Sequence, residues 1–126
     1  MSRAPQATAL ARQASETVRS LNHAALGPGG LRHPADAYDV LGDLSLAASR
    51  LPYLLAQVGH WLAAALDAGQ LGSDDGTDPA GSIGAARAFL ADARGTAASL
   101  ARDLGRAQQQ LSAVRGTPGP EEGELS

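Results

Sequence analysis

The sequence contains no cysteine and no lysine, and its 126 residues include one Trp, one Phe and two Tyr. Without cysteine there can be no disulfide, no thiol nucleophile and no thiolate-bound metal. The compartment is left open by that absence. Without lysine, all ten basic residues are arginine. The net charge of −3 is concentrated at the end of the chain, where Glu121, Glu122 and Glu124 stand without a base. Residues 1–115 hold ten acids and ten bases. A neutral body is a poor electrostatic match to a phosphate backbone, so no direct nucleic-acid partner is expected. Long apolar runs are also missing. The longest uncharged stretch, Leu51 to Leu66, contains Pro52, Gln57 and His60 and is too short to span a bilayer. Met1 to Leu10 has Arg3 but no apolar segment after it, so no signal peptide is read there. A cytoplasmic location is expected.

Strand-forming runs of Val, Ile, Thr and Tyr are scarce, while Ala and Leu dominate the 44% apolar content. These residues lead the helix propensity scale, and small side chains favour thin helix–helix seams. The fold class predicted is all-α: an up-down bundle of three helices, or four if Pro52 breaks the second, built on a long antiparallel hairpin. Its expected organisation is a disordered lead over 1–6, one helical domain over 7–115 and a disordered acidic tail over 116–126.

The longest periodic pattern runs from about Pro79 to Arg115. Ile83, Ala86, Leu90, Ala93, Ala97, Leu100, Leu104, Ala107, Leu111 and Val114 alternate steps of three and four. That 3.5-residue repeat keeps one seam facing a partner helix. A second pattern begins near Pro34 and includes Ala37, Leu41, Leu44, Ala48, Leu51, Leu55, Val58, Leu62 and Ala65. Beside it lies a further row, Val40, Ala47, Leu54 and Trp61, so this helix is apolar over the widest arc. Pro52 removes one helical hydrogen bond, and the continuous phase across it predicts a kink rather than a break. A shorter helix over about Ala7 to Ala25 carries Leu10, Ala14, Val18 (or Thr17), Leu21 and Ala25. Gly27-Pro28-Gly29-Gly30 ends it, with glycine expected in the left-handed cap. Asp36 should complement the start of the second helix, and Asp78 should cap the third with Pro79 in its first turn. The first helix is long enough to cover only about half of the hairpin, which leaves part of the seam for self-association.

Reactive constellations are sparse. His23 and His33 flank one loop, but neither they nor His60 has a ligand partner at zinc spacing. Asp74, Asp75 and Asp78 fail the calcium-loop pattern, because the third position is Gly76 and the twelfth is Ala85. They read as a solvated turn. No lysine follows the Gly27–Gly30 run, and no serine sits in G-x-S-x-G. Asp36, Asp39 and Asp43 share a helical face and read as an acidic stripe rather than a general acid–base pair. No metal, cofactor or small-molecule substrate is expected. The residues assigned to protein contact are Tyr38, Leu54, Trp61, Leu100, Leu104 and Leu111. Trp61 suits either a core anchor or a binding surface.

The segment from His33 to Gly42 (HPADAYDVLG), with Leu51-Pro52 and Trp61-Leu62, resembles small uncharacterised helical proteins of actinomycetes such as Streptomyces. The resemblance covers about residues 20–114 and implies a helical fold without assigning any catalytic residue. The hairpin is also similar in size to the WXG100 proteins of type VII secretion, which implies an exported hairpin protein. Their Trp-x-Gly turn is replaced here by Trp61-Leu62-Ala63 inside a helix. The function expected is a non-enzymatic helical interaction module that self-associates or joins a small complex. The alternatives are an accessory protein regulating a DNA-associated machine through protein contacts, and the exported hairpin.

Overall fold

A computed structural model describes residues 5–117. Residues 1–4 and 118–126, which hold most of the expected lead and acidic tail, lie outside the described residues. The described residues form three helices and no strand: α1 (Gln6–Ala25), α2 (Pro34–Asp67) and α3 (Ala80–Gln110). The fold is all-α. The chain divides into two compact units, Met1–Asp36 with Arg115–Ser126, and Ala37–Val114.

In the first unit, α1 has no buried residue, and its Leu10 and Val18 remain half exposed. The expected left-handed cap at its end is not formed. None of the glycines from Gly27 to Gly30 has a positive φ. The helix closes instead through a tighter turn in which the Gly27 amide donates to the Ala24 carbonyl at 3.0 Å. Gly30 is required there for space. A Cβ at that position would stand 2.5 Å from the Ala25 carbonyl oxygen.

The start of α2 is stitched from both sides. The Asp36 carboxylate accepts from the backbone amides of Arg32 at 3.0 Å and His33 at 3.1 Å. An acid in the first turn that reaches back to the residues before the helix is half of a capping box. The Arg32 guanidinium donates to the Pro28 carbonyl at 2.7 and 3.2 Å and secures the preceding loop.

The second unit is the hairpin of α2 and α3. Pro52 does not break α2, which runs 34 residues through it. The helix ends in a Schellman motif. Gly69 takes φ +71°, its amide bonds to Leu66, and the Gln70 amide reaches back to Ala65, both at 3.0 Å. After the turn, Asp78 accepts from the Ala80 amide at 3.0 Å. Pro79 already has helical dihedrals, φ −69° and ψ −9°, so Asp78 acts as the cap expected of it. At its far end α3 falls short of the expected Arg115. Past Gln110 the chain makes tighter turns, with the Leu111 amide donating to Gln108 and that of Ser112 to Gln109.

α2 and α3 pack closely and antiparallel. Gly42 lies against the Gln108 side chain, Ser45 Oγ lies near Gly105, and Gly59 faces Leu90. The residue numbers of each of these pairs add to 149 or 150, which fixes the register. Ser45 Oγ also donates to the Ala101 carbonyl at 2.8 Å across the pair. The buried residues of the hairpin are Ala48, Gly59, Ala65 and Ala97. No large side chain among the described residues is fully buried.

The seam differs from the strict heptads in one respect. On α2 the least exposed row is Ala37, Leu41, Leu44, Ala48, Pro52, Leu55, Gly59, Leu62 and Ala65. On α3 it is Ile83, Ala86, Leu90, Ala93, Ala97, Ala101, Leu104, Gln108 and Leu111. Each helix takes two successive steps of four, through Ala48 to Pro52 and through Ala97 to Ala101. In the register above these two places face each other. Leu51, Val58, Leu100 and Ala107, expected in the seam, are therefore turned out of it. The cause is the mismatch between 3.6 residues per turn and a 3.5-residue repeat, which drifts by about 20° per heptad unless it is reset.

Candidate interaction surface

The flanks of this seam have opposite character. On one side, Leu55, Ala56, Gly59 and His60 of α2 and Arg87, Leu90, Ala91 and Arg94 of α3 line a shallow groove of about 180 Å³. A helix turns 100° per residue, so residues on the other side of each seam row fall together on the opposite flank. From α2 these are Leu51, Leu54, Val58 and Trp61, and from α3 Phe89 and Leu100. All are exposed: Leu51 by 39%, Leu54 by 50%, Val58 by 42%, Trp61 by 64%, Phe89 by 74% and Leu100 by 46%. In the hairpin register Phe89 stands level with His60, and Leu100 with Ser49. The six therefore lie on one flank, with Thr96 between Phe89 and Leu100 and Asp92 at the outer edge.

The size of this apolar patch follows from side-chain areas. Taking about 200 Å² for a full aromatic side chain, Trp61 and Phe89 leave roughly 280 Å² uncovered. The four aliphatics add about 200 Å². A total on the order of 500 Å² is near the upper end of what monomeric proteins expose.

Three of the six expected contact residues, Leu54, Trp61 and Leu100, share this patch. Leu104 and Leu111 are half buried in the seam instead, and Tyr38 turns toward the flank of Ala56 and His60. Periodicity assigned Leu51 and Val58 to the seam and passed over Phe89. The spacing of eleven residues from Phe89 to Leu100, close to three helical turns, was the available signal.

The polar residues are occupied locally or face solvent. Ser49 Oγ donates to the Leu46 carbonyl at 2.6 Å. Asp75 accepts from the Thr77 hydroxyl at 2.7 Å and from its amide at 3.0 Å. Those two bonds, the hydroxyl first, hold the Asp75 carboxyl below its ordinary range. The Arg32 amide, followed by that of His33, does the same for Asp36. Asp39 and Asp43 line an open concavity with Ser45 and Gln108. Glu16–Arg19 at 3.7 Å and Asp103–Arg106 at 3.9 Å are exposed pairs, worth little in water. Among the described residues no group of three or more His, Asp or Glu could hold a metal ion. No helix among them is long and apolar enough to cross a membrane.

No protein-family model, curated protein or solved structure matches this chain.

Proposed function

We propose that the chain is a non-enzymatic helical protein–protein interaction module, acting by self-association or as a subunit of a small complex. One observation carries this reading. The Leu51, Leu54, Val58 and Trp61 row, with Phe89 and Leu100, is an apolar surface on a hairpin whose own interior is closed by alanine and glycine. Trp is enriched among residues that dominate binding energy, and an apolar patch on a rigid pair of helices is a preformed site. A photo-crosslinking residue placed at Leu54 in living cells tests it. Discrete protein adducts are expected from Leu54 and none from Gln57, which lies on the solvent side of the same helix. Equal, diffuse labelling at both positions, or none at either, would contradict it.

A further inference from the structure

We infer that this patch is covered by the same patch of a second copy, making the protein a homodimer of hairpins. The inference rests on the interaction-module reading and names its partner. Area is the first argument. A patch on the order of 500 Å² on each copy gives about 1,000 Å² before any rim contact, the level a specific interface must clear. A self-complementary patch needs only one surface to serve both sides of a two-fold interface.

Charge is the second argument. The six patch residues carry no charge, and the acids of the hairpin, eight against five bases over residues 37–114, lie outside those six positions. Contact through these six side chains sets no like charges face to face, and the net charge of −3 per chain is screened beyond about 8 Å at physiological salt. Neither the surface nor the charge selects an oppositely charged partner. The basic flank with Arg87 and Arg94 lies on the other side of the hairpin and stays accessible in such a dimer.

The chain carries its own reporter, because Trp61 is the only tryptophan and is 64% exposed in the single chain. The experiment follows sedimentation and Trp61 emission over one dilution series of the full chain. It compares the wild type with Leu54→Glu, Phe89→Ser and, on the opposite side of α2, Tyr53→Glu. The expected result is a dimer whose dissociation shifts Trp61 emission to the red at the same midpoint. The patch variants should weaken dimerisation about tenfold or more, as for a central contact, while Tyr53→Glu leaves it unchanged. Phe89 is 74% exposed, so Phe89→Ser keeps the test valid if Leu54→Glu loses helix content by circular dichroism.

A wild type that stays monomeric throughout overturns the homodimer. Crosslinked adducts to a different protein at Leu54 would then preserve the broader reading. A dimer that survives both patch variants, with constant Trp61 emission, overturns the assignment of the face and leaves self-association standing.

Discussion

Gly59 is buried in the seam opposite Leu90, and Gly59→Ala separates two accounts of why a glycine is there. If α2 and α3 touch so tightly that only hydrogen fits, alanine must push them apart. The structure implies the reverse. A Cβ at Gly59 would sit 3.8 Å from Leu90 Cδ1, an ordinary van der Waals distance, with nothing else within 4 Å. Replacing a mid-helix glycine with alanine gains about 1 kcal/mol of helix propensity. The added methyl, buried against Leu90, contributes up to about 0.8 kcal/mol more. Gly59→Ala should therefore stabilise the fold by roughly 1–2 kcal/mol, which raises the melting temperature of a domain this small by about 4–8 °C for each kcal/mol. Thermal and urea unfolding followed by circular dichroism would measure it. A loss of stability would refute the inter-helix spacing on which the seam and its flanks depend.

Five other perturbations have expected outcomes. Gly30→Ala should destabilise the turn after α1 by more than about 1 kcal/mol, because its Cβ meets backbone oxygen. Faster amide exchange over the last turn of α1 would show this. Leu104→Asp should unfold the hairpin, since it places a charge in the seam at a cost of several kcal/mol. Leu100→Asp, on the exposed flank, should keep its helix content and lose self-association, as circular dichroism and sedimentation on the two variants would report. Asp36 contributes stability that is present above the unfolded aspartate value of about 3.9 and is lost as pH falls through its lower folded value. Asp36→Ala should accordingly flatten the acid limb of the stability profile below about pH 4 while lowering stability at neutral pH. Ser45→Ala should cost only about 0.5–1.5 kcal/mol in urea unfolding, the net value of the one hydrogen bond to Ala101.

Local chemistry was the most legible part of the fold. Pro34 and Asp36 at the start of α2 and Asp78-Pro79 before α3 each act through their immediate neighbours, so their roles can be read from the order of residues, whereas the left-handed glycine cap expected after α1 is found after α2, at Gly69. The helical passage through Pro52 was legible because the apolar pattern continues on both sides of it. The azimuth of each seam residue was not. A heptad reading places Leu51 and Val58 in the interface, whereas the helices bring Pro52 and Gly59 there after two steps of four. That reset depends on the partner helix making the same shift at the same level, Ala97 to Ala101, and no single-helix pattern contains this information. The candidate surface was half visible for the same reason. Leu54, Trp61 and Leu100 could be named as contact residues, but their convergence with Phe89 depends on the α2–α3 register. The end of α3 was also hidden. The periodicity persists to Leu111 and Val114, although the helix has given way to tighter turns after Gln110.

The most direct test of this account is the mass of the purified full chain in solution across a concentration series. Twice the chain mass of 12.7 kDa at the upper end, falling to one chain mass on dilution, is the predicted result. A single chain mass at every concentration would contradict it, and would mean that the Leu54–Trp61 face has no second copy to cover it.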